Sequence, residues 1–246
     1  MIISRFCLKI FVLIISILIS PFLYAAKNFK IVTENYPPFN MEENGKIVGI
    51  STDVMKELMK REKTEYTLEL YPWARAFKMG MEEPNTVVYS TTRTPEREAL
   101  FKWVGPLVSN DWVFFAKKGS KIKIKSLDDA KKYSVGGYNG DATSEFLLKE
   151  NFVKGKNIQL ATNDKQNALK LEAGRIDLWA TGSQIGKWIA KTEKTGSIEP
   201  LFTFKKVELY AAFNKNTDDA VIKKLNETLD KMKKDGSVTK IFDRYK

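Results

Sequence analysis

Thr86-Val87-Val88-Tyr89-Ser90-Thr91-Thr92-Arg93-Thr94-Pro95-Glu96-Arg97 is the stretch on which the reading of this chain turns. The β-branched run over 86–90 predicts a strand. Pro95, whose fixed φ suits a first helical position, predicts a helix opening behind it. Strand, turn and helix in direct succession are the unit of an α/β fold. Three hydroxyls on the turn, with Arg97 about one helical turn further on, converge donors on a planar anion such as a carboxylate. The stretch therefore predicts capture of a small acid.

Outward from it, the same alternation continues in both directions. Before it the pattern predicts a strand over 28–34, a helix over 51–62, a strand over 65–71 and a helix over 73–82. In the first helix Val54, Met55, Leu58 and Met59 make one apolar stripe behind the cap candidates Ser51 and Asp53. After it an apolar strand, Trp112 to Ala116, opens a second run: strand 133–137, helix 142–150, strand 157–161, helix 164–173, strand 176–180, helix 183–191. A strand from Val207 to Phe213 and two helices follow. The first of these carries Val221, Leu225, Leu229 and Met232 and stops at Asp235-Gly236; the second starts at Ser237. Such alternation predicts α/β lobes with parallel pairing.

Composition limits the chemistry. Residues 1–26 carry Arg5 and Lys9, an apolar core from Ile10 to Ile19, Pro21 and then Tyr24-Ala25-Ala26. This is the layout of a secretory signal, read here as residues 1–25 with cleavage after Ala25. The apolar core is shorter than the roughly 20 residues of a spanning helix. Cys7, the single cysteine, lies inside that segment, and there is no histidine. A mature chain from residue 26 thus has no thiol for disulfides, thiolate metal sites or nucleophilic attack, and it lacks the commonest general base. Of the 41 basic and 30 acidic residues, the signal contains only Arg5 and Lys9, so the formal charge falls from +11 to +9 on cleavage. Lysines such as Lys117, Lys118, Lys131 and Lys132 are scattered along the chain in the manner of solvated faces. With an export signal in front, nucleic acid is not an expected partner.

Tyr36-Pro37-Pro38-Phe39, Gly49-Ile50-Ser51-Thr52-Asp53-Val54, Arg93 to Arg97, Trp103-Val104-Gly105-Pro106, Val135-Gly136 with Gly140, Ala173-Gly174-Arg175-Ile176-Asp177 and the closing Asp235-Gly236 stand in a characteristic order. In these motifs, over essentially the whole mature chain, the sequence resembles the bacterial extracellular solute-binding proteins of family 3, the periplasmic polar amino acid receptors of ABC transporters. The resemblance implies the type II periplasmic binding protein fold: two lobes, two strand crossovers forming a hinge, and a ligand cleft between the lobes. Residues 26–110 plus 209–246 would form lobe 1 and residues 111–208 lobe 2. It further implies that Arg97 grips the ligand carboxylate, helped by Ser90, Thr92 and second-lobe N–H groups near Gly140. Tyr36 would wall the cleft and Trp73 would lie over the ligand. Arg75 either adds a second positive charge or points to water. Phe39 reads as core and Arg93 as solvated.

One departure stands out. Members that bind α-amino acids commonly carry an aspartate five residues after the position of Asp177, and this chain has Gly182 there. Asp141 stands where a threonine normally follows the glycine. Asp141 either replaces the missing ammonium partner or caps helix 142–150, and in the second case the ligand need not be a standard α-amino acid. The resulting expectation is a monomeric periplasmic receptor without cofactor or metal, which captures a small carboxylate-bearing metabolite and delivers it to a membrane permease by lobe closure. The rivals are a sensory receptor signalling to a membrane partner and, with only carboxylates and lysines for acid–base work, a dehydratase-like enzyme.

Overall fold

A computed structural model describes residues 28–195 and 198–245, so the segment read as a signal lies outside the described residues. The elements of the first half are β1 (Phe29–Thr33), β2 (Met41–Glu43), β3 (Lys46–Val48), α1 (Ile50–Arg61), β4 (Tyr66–Leu70), α2 (Trp73–Glu82), β5 (Thr86–Thr92), α3 (Pro95–Glu98) and β6 (Phe101–Ser109). Then come β7 (Trp112–Lys117), α4 (Leu127–Ala130), β8 (Val135–Tyr138), α5 (Ala142–Lys149), β9 (Ile158–Ala161), α6 (Asp164–Glu172), β10 (Leu178–Gly182), α7 (Ser183–Thr192), β11 (Ile198–Lys205), β12 (Glu208–Asn214), α8 (Asp219–Lys234) and α9 (Ser237–Asp243).

Two five-stranded sheets result, ordered β4-β1-β5-β12-β6 and β11-β7-β10-β8-β9. The chain passes from the first to the second between β6 and β7, and returns between β11 and β12. The two passages touch where Asn110 N–H donates to the Val207 carbonyl at 2.9 Å. Pairing is parallel among β1, β4 and β5 and among β8, β9 and β10, but β12 and β7 each run antiparallel to both neighbours. The expectation of parallel pairing thus holds among these six strands and is corrected at β12 and β7. A strand coming back from the hinge has to run against the strands whose carboxyl ends point at it.

The α1 stripe Val54, Met55, Leu58 and Met59 is buried, packed in one cluster with Phe29, Ile31 and Leu229 of α8. The cap of α1 differs from expectation. Gly49, at φ 124°, is the N-cap, and Ser51 and Asp53 sit inside the helix. A Cβ on Gly49 would lie 2.4 Å from the Phe39 carbonyl oxygen. That close approach lets the Pro38 and Phe39 carbonyls accept from the N–H groups of Ile50, Ser51 and Thr52, so no side-chain cap is needed. Phe39 itself is fully buried, as core. Among the described residues no helix is long and apolar enough to cross a membrane.

Candidate functional site

Parallel strands deliver their following loops to one edge, and in open α/β sheets ligands bind beyond the carboxyl ends of the strands. Both sheets turn that edge toward each other. Glu34 and Tyr36 follow β1, Tyr71 follows β4, and Ser90 to Thr92 close β5; from the second sheet come Tyr138 at the end of β8 and Asp164 just after β9. Between them lies a cleft of about 690 Å³, lined from one side by Glu34, Tyr36 and Tyr71 and from the other by Tyr138, Asp164 and Trp188.

The expected contact residues divide into two groups. Tyr36 lines this cleft, and its hydroxyl accepts from Asn110 Nδ2 at 3.3 Å. Trp73, Arg97 and Gly140 instead form a seam that joins the lobes beside it. Trp73 Nε1 donates to the Gly140 carbonyl at 3.0 Å, and Arg97 Nη2 donates to Glu145 Oε2 on α5 at 2.8 Å. Glu96 and Lys149 add an ion pair. Arg97 is 4% exposed, with its guanidinium 4.9 Å from the centre of the Phe77 ring and 5.5 Å from that of Trp73. Arg75 is exposed and stacks over the Tyr71 ring at 4.3 Å, so it touches a cleft wall without lining the cleft. Arg93 pairs with Glu98 near the surface.

Ser90 sits at φ 60°, opposite the register shift between Tyr210 and Ala211 of β12. A bulge re-aims a side chain at some backbone cost, of order 1–3 kcal/mol for such a residue. The Ser90 Oγ is buried and has no hydrogen-bond partner among the described residues. Thr92, half-buried, ends the same strand. Asp141 is the N-cap of α5, and its Oδ1 accepts from Ser144 N–H at 2.7 Å.

The cleft also holds the carboxylates Glu34 and Asp164, neither of which the sequence reading named as a ligand contact. Tyr138 Oη donates to Glu34 Oε2 at 2.7 Å across the lobes. Burial pushes Glu34 up to about 8, with the like charges of Asp164 and Asp141 adding and the Tyr138 bond and Arg97 opposing. Burial, then the charge of Asp141, pushes Asp164 up to about 7, and Asp141 itself is pushed up to about 6, again by burial. Arg97 acts on both Glu34 and Asp141, so the seam and the cleft form one electrostatic unit. The signal for Asp164 lay in the alternation itself, since it begins the helix after a parallel strand and therefore sits at the cleft edge. Tyr138 and Trp188 carried no local signal.

The sequence profile of the bacterial extracellular solute-binding proteins, family 3, matches residues 30–246. The chain belongs to that family. Among relatives, the ABC transporter arginine-binding protein 1 of Escherichia coli (strain K12) is 26% identical over 246 residues, covering 95% of this chain and 98% of its own. An ancestral arginine-binding protein, solved bound to glutamine, superimposes with a TM-score of 0.77 at 25% identity, covering 89% of this chain and 97% of that one. A histidine kinase sensor domain with similarity to periplasmic binding proteins reaches 0.80 at 18% identity over 88% and 95%, a likeness of fold alone. This solute-binding protein thus has the two-lobed type II architecture that its family implied. Its second lobe departs at Gly182 for a visible reason. A Cβ there would lie 2.2 Å from Asn110 Oδ1, because the Asn110 side chain fills the space that a side chain at this position would take.

Proposed function

We propose that this protein captures an amino acid between its lobes in the periplasm, after loss of residues 1–25, and presents the closed form as a monomer to the membrane permease of an ABC transporter. Lobe 1 would comprise residues 26–110 with 209–246, and lobe 2 residues 111–208. The observation that carries the reading is a cleft of about 690 Å³ at the carboxyl ends of two facing sheets, with the Arg97 seam beside it and Ser90 Oγ left unpartnered near the end of β5. In this reading the ligand carboxylate takes the guanidinium of Arg97 from Glu145, whose side chain is 49% exposed and free to swing into water. Ser90 and Thr92 hydroxyls and N–H groups near Gly140 complete the clamp, and Tyr36, Trp73 and Tyr71 wall the ligand in. Closure by hinge motion is all the role requires, and no reaction is needed.

The test is thermal unfolding and calorimetric titration of residues 26–246 against arginine, lysine, histidine, glutamine, cystine, dicarboxylates and simple amines. A ligand of the native state at a thousand times its Kd stabilises by about 4 kcal/mol, an easily read rise in the midpoint. A shift confined to compounds bearing both an ammonium and a carboxylate supports the reading. Binding of amines alone, or of nothing in the panel, refutes it.

A further inference from the structure

An α-amino acid brings an ammonium into the cleft, and a buried cation needs a counter-charge. Position 182 cannot provide one, since Asn110 occupies its side-chain space. Asp141 is occupied as the cap of α5. We infer that Asp164 is the carboxylate that receives the cationic group of the ligand, an assignment that rests on the amino acid reading of the cleft.

Four observations carry it. Asp164 lines the cleft from the second lobe. It is 6% exposed, and its Oδ1 is fixed by Trp179 Nε1 at 2.9 Å, with the Trp179 side chain fully buried. Its Oδ2, by contrast, is buried without a hydrogen bond of normal geometry among the described residues, the Thr181 hydroxyl acting on the carboxyl too weakly to offset its raised pKa. A carboxylate oxygen left this way is unfavourable in the empty protein and becomes satisfied when a donor arrives. Finally, Asp164 has no capping duty, because Asn163 is the N-cap of α6 and its Oδ1 accepts from Gln166 N–H at 2.9 Å. The surroundings agree in sign. Among the described residues lining the cleft, Glu34, Glu42, Glu43, Asp164 and Glu193 face the single cation Lys165. The cleft is therefore built to accept positive charge, while Arg97 waits at its margin for the negative end.

The experiment is titration of wild-type residues 26–246, Asp164→Asn and Asp141→Asn with L-arginine, L-lysine, L-histidine, L-glutamine and L-cystine. For whichever probe binds the wild type, the 2-hydroxy acid with the same side chain is titrated alongside. Losing one member of a buried charge pair predicts at least a ~30-fold weaker Kd for the amino acid in Asp164→Asn. The hydroxy acid, which lacks the ammonium, should bind wild type and Asp164→Asn alike. Asp164→Asn should also unfold no earlier than wild type, since the amide oxygen still accepts from Trp179 Nε1 and no buried carboxyl remains to be ionised. If it unfolds early, Asp164→Ser, which leaves Trp179 unstrained, takes its place in the same titration. Equal amino acid affinity in wild type and variant overturns the inference while the amino acid reading stands. A loss on Asp141→Asn without one on Asp164→Asn overturns it equally. A wild type that binds none of the probes removes the amino acid reading and this assignment with it.

Discussion

Replacing Arg97 by alanine tests the clamp through two readouts of different size. On the stability side, the side chain gives up its bond to Glu145 and its contacts with the Phe77 and Trp73 rings. Because Glu145 is half exposed, that ion pair counts as a surface pair of at most about 1 kcal/mol. At this buried site each cation–π contact contributes about 1–2 kcal/mol. Relief from burying a guanidinium offsets part of this, leaving a net loss of about 2 kcal/mol and a midpoint about 4–8 °C lower for a chain of this length. On the binding side, a desolvated carboxylate without its partner costs about 2–5 kcal/mol, a loss of ~30-fold to several thousandfold in Kd. Calorimetric unfolding and titration of Arg97→Ala measure both. A variant that fails to fold would assign Arg97 to the core of the structure. A folded variant that binds its amino acid as wild type does would refute the clamp.

Gly182→Ala drives a Cβ into the 1%-exposed Asn110 side chain and should cost about 1–3 kcal/mol by overpacking, with most of it recovered in the double variant with Asn110→Ala; no loss in denaturant titration would refute the packing argument. Trp73→Phe keeps an aromatic ring but deletes the bond to the Gly140 carbonyl, about 1 kcal/mol, so small-angle scattering of the unligated variant should show a larger radius of gyration than wild type. The pH dependence of the unligated protein has a definite sign. Glu34, Asp164 and Asp141 are raised to about 8, 7 and 6, so the native state holds protons that the unfolded chain has released above its ordinary carboxylate values. The groups facing them are Tyr36 and Tyr138, whose own pKa values are raised, and Arg97 as the cation. Stability should therefore fall as pH rises from about 5 to 8, and Glu34→Gln should flatten the fall; a midpoint that climbs over this range refutes the buried-carboxyl description.

Most elements were legible in the sequence because they depend on local periodicity. Helix α2 follows from its apolar spacing, and α8 and α9 part at Asp235-Gly236, where Gly236 takes φ 78°. The hairpin of β2 and β3 was not read, although Asn44-Gly45 between them, both at positive φ, is its local signal. β11 was also missed, since its half-buried pattern shows neither clean alternation nor a continuous apolar run. Of the proposed site, Tyr36, Ser90, Thr92 and Arg97 stood out through hydroxyl, aromatic and guanidinium placement beside predicted strand ends. Asp164 did not, because an aspartate at a helix start reads first as a cap, and only the structure shows Asn163 already in that role.

The sequence by itself determined the alternation of strands and helices, the apolar faces that pack them, the placement of donors after β5 and membership in the solute-binding family. Each of these is written within a window of a few residues, where periodicity and turn chemistry act. Tertiary structure decided which polar groups meet. Arg97 finds Glu145 at a separation of 48 residues, Trp73 finds Gly140 at 67 and Tyr138 finds Glu34 at 104. It also decided that Asn110 takes the space at Gly182 and that Asp164 keeps one oxygen unpaired. Such pairings follow from how two lobes face each other across a cleft, and burial, which sets the cost of each unpaired charge, exists only once they do.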